Sequence, residues 1–207
     1  MNNRLPTPAH FPLMAAVFEG SLLVVAIGLG WLLGTPPLRT FQFDLHGAAL
    51  GVAATLPPLG LFWLCLKCPW RPLKEIARIL DETLIPLFRG CPVAELAIIA
   101  ALAGVGEEAL FRGVIQAAVA QEVGGPSGVW IGLIISAALF GLLHPITPIY
   151  ALLAATIGLY LGWLWLACGN LLVPIIAHGL YDFLALMYLV KTRGEGGLRC
   201  QRNIPSP

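Results

Sequence analysis

Eight ionisable residues of this chain lie inside long apolar stretches, where such groups are uncommon. They include carboxylates, imidazoles and one guanidinium, the side-chain types that can activate a water molecule and stabilise charge during hydrolysis. Inside a membrane such groups cost several kcal/mol each (about 2.5 or more) and by default indicate function. The eight are Glu19, Glu95, Glu107, Glu108, Arg112, His144, His178 and Asp182.

The segment Glu107-Glu108-Ala-Leu-Phe-Arg112 places two carboxylates beside a buried-type Arg. Glu108 and Arg112 are separated by one helical turn, so they share a face and are expected to pair. Glu107 points about 100° away from Glu108 because an α-helix has about 3.6 residues per turn. A purely structural charge network would explain Glu108 and Arg112, but it would leave Glu107 without a partner. We therefore expect Glu107 to face a cavity.

Two further apolar stretches contribute histidines. Phe140-Gly-Leu-Leu-His144 ends one of them, and His178-Gly-Leu-Tyr-Asp182 lies within the next but one. Taken alone, a His before Pro145 at a helix end is more often a cap or interface residue than a catalytic one, and His178 is compatible with a structural hydrogen bond to Asp182. The uncharged turn Pro145-Ile-Thr-Pro148 favours a connection sunk into the protein, which would bring His144 to the depth of the other groups.

These residues suit hydrolysis by an activated water. Glu107 and His144 are expected to hold and deprotonate the water, and His178 to donate to the developing oxyanion. No Gly-x-Ser-x-Gly motif is present, and none of the Cys residues is obviously paired with a His. A serine or cysteine nucleophile is therefore not expected.

The composition shows what must position these groups. The chain is 58% hydrophobic with a mean hydropathy of +0.84 and only 11% charged residues, whereas a soluble domain carries about 25%. The formal net charge of +1 excludes a basic surface for nucleic acid. We predict an all-α polytopic membrane helix bundle forming a single integral membrane domain over residues 1–207, with a core at 93–190 that carries the motifs. The predicted spans are 12–33, 47–66, 93–120, 129–144, 148–167 and 171–190.

Residues 72–88 predict an amphipathic helix that lies on the membrane surface or caps the bundle. Asn170 is a natural N-cap for the last span. Ten Lys and Arg residues fall on the side of this amphipathic helix, against Arg39 alone on the opposite side. By the positive-inside rule, both termini and the amphipathic helix are predicted to be cytoplasmic.

Taken together, three motifs in order carry a family resemblance. Glu-Glu-x-x-x-Arg at 107–112, Phe-x-x-x-His at 140–144 and His-x-x-x-Asp at 178–182 resemble those of the CPBP family. This family groups the CAAX prenyl proteases with bacteriocin-processing and abortive-infection-type intramembrane proteases. The resemblance implies an intramembrane endopeptidase of glutamic type, with residues 93–190 as its protease-like core.

The same resemblance implies a role for each matching residue. Glu107 would be the catalytic carboxylate and His144 its water-holding partner, His178 and Asp182 would form the oxyanion site, and Glu108 and Arg112 would be mainly structural, as would Phe140. Many members have Asn where this chain has Asp182, and an ionised Asp cannot donate to an oxyanion. Asp182 is therefore either protonated or orients His178, and we favour the second.

Other interpretations remain open at this stage. Glu107, His144 and His178 could instead ligate zinc in an intramembrane metalloprotease. A proton-coupled transporter would use similar groups but would predict inverted repeats, and a non-catalytic immunity protein would be expected to lose one of the motifs. Glu19 is assigned equally to pairing within the bundle or to a substrate gate.

The expected partners are the lipid bilayer and a membrane-inserted or membrane-associated peptide substrate. A six-span chain without an organellar signal favours the bacterial inner membrane, where prenylated proteins are generally lacking.

Overall fold

The computed structural model describes residues 10–202, with side chains described as far as residue 192. The predicted position of the two termini lies outside the described residues, as does Arg4. The side chains of Arg193, Arg199 and Arg202, which also entered the charge count, are likewise not described.

The described residues form helices and no strands, which confirms the all-α prediction. The helices are α1 Phe11–Leu33, α2 Leu45–Ala54, α3 Leu56–Lys67, α4 Arg71–Ile79, α5 Ile85–Phe88, α6 Val93–Glu108, α7 Ala117–Val123, α8 Gly125–Leu142, α9 Pro148–Cys168 and α10 Leu172–Arg202. Two π-helical segments, Leu80–Leu84 and Ala109–Gln116, join α4 to α5 and α6 to α7.

The lengths and composition of these helices define a multi-pass membrane protein. Five of them are long and apolar enough to cross a membrane, with α2 and α3 taken together, and the count becomes six if the bent pair Arg71–Phe88 and Val93–Val123 forms one span. Large apolar side chains cover the outside of the bundle, among them Val24, Leu32 and Trp130. Such a surface suits lipid, because a soluble monomer rarely exposes apolar patches of this extent.

The second predicted span is interrupted at Thr55, between α2 and α3. Pro57 and Pro58 follow directly and lack the backbone N–H groups that would continue the α2 hydrogen-bond ladder. The carbonyl of Ala54, which Pro58 cannot bond, accepts from the Tyr160 hydroxyl at 2.9 Å, and the Thr55 hydroxyl donates to the carbonyl of Gly51 at 3.1 Å. The span therefore continues across a local break.

The third predicted span is an unbroken helix from Val93 to Val123 whose middle part is π-helical. The π-helical segment Ala109–Gln116 begins immediately after Glu108. Long π-helical segments are rare and often occur at functional sites because they change the direction in which side chains point. The apolar pattern of this span carries no signal for the π-helical segment.

Asn170 joins two loops at one end of the bundle. Its Oδ1 accepts from the backbone N–H of Leu172 at 2.9 Å, which caps α10 as predicted, and also from the N–H of Gln42 at 3.1 Å. Its Nδ2 donates to the Asp44 carboxylate and to the Gln42 carbonyl, each at 2.8 Å. The α1–α2 loop and the α9–α10 loop therefore lie on the same side of the bundle.

The amphipathic segment Arg71–Phe88 turns by 115° relative to Val93–Val123. Its polar face carries Arg78, which pairs with Glu75 and Glu82. Its apolar face, with Leu73, Ile76, Leu80, Leu84 and Phe88, lines an internal cavity. The sequence predicted that this segment lies on the membrane surface or caps the bundle. Because its apolar face lines the cavity, that face packs against the bundle.

Candidate active site

One cavity of about 370 Å³ lies among α1, α3, the amphipathic segment, α6, α8, α9 and α10. Most of its wall is apolar, and the polar groups come from residues far apart in the chain. These are Glu19, Glu107, His144, Tyr150, His178, Tyr181 and Asp182. The structure therefore brings Glu107, His144, His178 and Asp182 together around one space. Glu95 is solvent-exposed or lipid-exposed near the start of α6 and does not line it.

Glu107 and Glu108 have different surroundings although they are adjacent. Glu107 lines the cavity and is 8% exposed, and its Oε2 has no hydrogen-bond partner within the described part of the chain. Glu108 is fully buried and is absent from the cavity wall. A buried carboxylate oxygen without a donor is costly, so its position at a cavity indicates a group that interacts with a ligand or water.

Glu108 is the centre of a buried ion network. Its Oε1 accepts from Arg112 Nη1 at 2.7 Å and lies 2.8 Å from Nδ1 of His178. Arg112 Nη2 also donates to the carbonyl of Gly158 in α9 at 2.7 Å. The pairing of Glu108 with Arg112 matches the spacing argument, whereas the contact between Glu108 and His178 was not predicted. Three helices are joined by this one network.

Phe140 holds the aromatic groups of the site in place. Its ring stacks on His144 with centroids 4.7 Å apart and makes edge contacts with Phe111 at 5.0 Å and His178 at 5.8 Å. The Arg112 guanidinium lies 4.9 Å from the same ring, in a cation–π arrangement. Phe140 therefore connects the charge network to the cavity-lining histidines.

His144 follows the end of α8, and its Nδ1 lies 2.7 Å from the carbonyl oxygen of Phe140. A carbonyl oxygen can only accept, so Nδ1 carries the proton in this contact. In the neutral ring Nε2 is then the free acceptor. This arrangement gives the ring a defined tautomer and an available lone pair.

His178 lies between two carboxylates. Nδ1 contacts Glu108, and Nε2 is 3.3 Å from Oδ2 of Asp182, one turn further along α10. This geometry agrees with the interpretation in which Asp182 orients the ring. Asn170, the remaining predicted residue, does not reach the cavity and instead caps α10.

Tyr150 and Tyr181 also line the cavity, and sequence reasoning missed both. The ring of Tyr150 lies 6.4 Å from that of His144. Tyr181 directly precedes Asp182, so the sequence offered its neighbourhood as a signal. An aromatic residue in an apolar helix is so common in packing that neither tyrosine stood out.

The residues described by the structure include no group of three or more His, Cys, Asp or Glu side chains arranged to hold a metal ion. Both ring nitrogens of His178 face carboxylates, and Nδ1 of His144 is bound to a backbone carbonyl. Glu107, His144 and His178 do not form such a group among the described residues.

Comparison with known families gives a match over the part of the chain that builds this site. Residues 89–184 match the family described as type II CAAX prenyl endopeptidase Rce1-like. Comparisons with curated proteins and with solved structures gave no significant match. The family match confirms the resemblance to the CPBP family drawn from the three motifs. With the membrane-capable helices, it describes a multi-pass membrane protein in which residues 89–184 are similar to a family of CAAX prenyl endopeptidases.

Proposed function

We propose that this protein is an intramembrane endopeptidase that hydrolyses a peptide bond with a water activated by Glu107 and His144, without a metal ion. The observation that carries the proposal is the convergence of Glu107, His144 and His178 on one cavity from α6, the end of α8 and α10. The family match supports the peptidase class.

Glu107 acts as the general base. Its cavity-facing carboxylate accepts a proton from the water, while Nε2 of His144 accepts a hydrogen bond from the other O–H, which stays on the water oxygen, and so orients that oxygen for attack. The same Glu107 then returns its proton to the leaving amine, so that proton uptake and release balance over one cycle.

His178 stabilises the oxyanion. A ring with carboxylates at both nitrogens is suited to the doubly protonated form, whose Nε2–H can shift from Asp182 to the substrate oxygen as negative charge develops. The 3.3 Å separation from Asp182 is long for a charge-assisted hydrogen bond, which leaves this donor able to exchange partners. The substrate is a membrane-inserted or membrane-associated peptide, because the cavity is walled by membrane-embedded helices.

The test is cleavage of a library of membrane-peptide tails by the purified protein in detergent. Glu107→Gln should lower the rate by about 10²- to 10⁴-fold, the contribution of a placed general base, and His144→Ala should do likewise. The matched control is Glu122→Gln, the same change on the exposed end of α7.

Each preparation is assayed with and without a strong chelator. Activity that is lost on chelation and restored by zinc would replace the proposal with a metalloprotease mechanism. Wild-type rates in Glu107→Gln would contradict the proposal.

A further inference from the structure

Glu19 is a carboxylate of the cavity wall that neither the proposed mechanism nor the family match explains. It lies on α1, outside the matched residues 89–184, and lines the cavity with Glu107 and Asp182. Its Oε2 is buried and accepts no hydrogen bond from any described residue.

Close helix contact fixes this position. A Cβ on Gly106 of α6 would lie 2.6 Å from the backbone oxygen of Glu19 and 3.2 Å from Cβ of Leu22. Because Gly106 lacks that atom, α1 can approach the turn that carries Glu107. Backbone packing between α1 and α6 therefore holds Glu19 close to the helical turn that carries Glu107.

The charges around the cavity do not balance. Arg112 is committed to Glu108, and His178 lies between Glu108 and Asp182. Glu107 and Glu19 then remain without a cation, and the described residues of the cavity wall include neither Lys nor Arg. Glu107, 8% exposed with an unpartnered oxygen at the cavity, has a role in the proposed mechanism, whereas Glu19 has none.

The apolar residues of the cavity wall indicate the chemistry of an occupant that would bring a positive charge to Glu19. Leu61, Phe62, Leu66, Leu153 and Ile157 contribute to the apolar part of the same wall. An occupant that matches both parts has an apolar segment with one positive charge. A lone Lys or Arg in such a segment is costly in the membrane, and a carboxylate at the site would offset that cost.

We propose that Glu19 is a specificity-determining residue that binds a Lys or Arg side chain of an otherwise apolar peptide substrate, beside the bond to be cut. The inference rests on the proposed endopeptidase function and deepens it, since it names the class of peptide that the cavity takes. The charged side chain of the peptide donates to Oε2 of Glu19, and the apolar part of the peptide lies along the apolar part of the cavity wall.

The test uses 20-residue Leu/Ala peptides that carry a single Lys at successive positions, with matched peptides that carry Gln or Glu instead. Binding is measured by fluorescence to the full-length Glu107→Gln protein in detergent, so that no cleavage is needed. The best Lys peptide should bind about tenfold or more tightly than its Gln counterpart, the size of one charge-assisted hydrogen bond. In the Glu19→Gln, Glu107→Gln double variant that ratio should fall to about one.

Glu122→Gln in the same Glu107→Gln background is the matched control and should keep the ratio. Thermal unfolding of each variant shows that the fold is intact. Equal binding of the Lys, Gln and Glu peptides, absence of binding included, would overturn the inference, as would a Lys preference that survives Glu19→Gln.

The two proposals fail separately. A Lys preference that depends on Glu19, together with no cleavage by the wild-type protein, would leave the cation site standing and count against the endopeptidase. Cleavage that depends on Glu107, with no preference for Lys in either assay, would leave the endopeptidase standing and overturn the role of Glu19.

Discussion

Glu107 and Glu108 are adjacent in the sequence but have different surroundings. Glu108, with Arg112 and His178 as partners, links three helices, and Glu107 lines a cavity with one oxygen that has no partner among the described residues. Replacing each Glu by Gln should therefore affect different properties: activity at Glu107 and stability at Glu108.

Glu108→Gln should destabilise the protein by about 3–5 kcal/mol, because it leaves the guanidinium of Arg112 buried without a counter-charge. Arg112 is fully buried, so water cannot replace the lost partner. The measurement is thermal or denaturant unfolding in detergent, with Glu107→Gln as the control, which should unfold close to the wild-type temperature.

Replacement of both members, Glu108→Met with Arg112→Met, should recover part of the lost stability, because no charge is then left unpaired. Activity should remain low, since His178 loses its partner at Nδ1. Equal unfolding temperatures for Glu107→Gln and Glu108→Gln would contradict the assignment of the network to stability.

At the scale of elements, the site depends on how closely α6 and α10 approach. A Cβ on Gly104 would lie 2.9 Å from the backbone N of Gly179 and 2.9 Å from the carbonyl O of Ile175. Backbone atoms cannot move aside as a flexible side chain can. The absence of a side chain at Gly104 therefore sets the separation that allows Glu108 to reach His178.

Gly104→Ala should destabilise the protein by about 1–3 kcal/mol, the usual cost of overpacking. It should also lower the cleavage rate by more than about tenfold, since small misplacements of catalytic groups are costly. Gly60→Ala in α3 is the matched control, because its Cβ would meet nothing within 4 Å. Unfolding temperature and cleavage rate are measured together.

In the control, stability should stay unchanged or rise slightly, since Ala is the better helix former. If Gly104→Ala behaved like Gly60→Ala, the close contact between α6 and α10 would not control the site.

Local spacing predicted more of this protein than did long-range reasoning. The Glu108–Arg112 pair and the Asn170 cap follow from neighbours two to four residues apart, and the structure contains both contacts. The Glu108–His178 contact joins residues 70 apart, and the Asn170–Gln42 contact joins residues 128 apart. No periodicity in the sequence encodes which helices become neighbours.

The hydropathy pattern also did not predict irregularities inside two of the spans. Hydropathy is averaged over a whole span, so it does not register the break at Thr55 or the π-helical segment after Glu108. His144 was placed at the end of a span, and it lies just beyond the end of α8, where the chain has already turned.

At the scale of the whole molecule, the loops define two sides of the bundle. The contacts of Asn170 place the α1–α2 and α9–α10 loops on one side. The unequal distribution of Lys and Arg predicts that this side, which carries Arg39, faces away from the cytoplasm. The amphipathic segment with Arg71 would then face the cytoplasm.

This orientation can be tested by cysteine labelling in intact cells, in a background from which the native cysteines have been removed. Arg39→Cys should react with a membrane-impermeant maleimide added outside, because the residue is exposed in the loop. Arg71→Cys, exposed at the start of α4, should react only after permeabilisation. The reverse pattern would invert the topology and would place the amphipathic segment outside the cell.

The π-helical segment Ala109–Gln116 imposes an unusual constraint on how this sequence can change by insertion or deletion. Removal of one residue there would let the chain return to ordinary α-helical hydrogen bonding, which is the more favourable local geometry. The same deletion would turn every residue on one side of it by about 100° relative to the other. Arg112, Gln116 and their contacts to Gly158 and Gly162 of α9 could not then be kept together with Glu107 and Glu108. The π-helical segment thus fixes the relative orientation of the residues on its two sides. A deletion that restored regular α-helical hydrogen bonding would also separate the side chains that form the site.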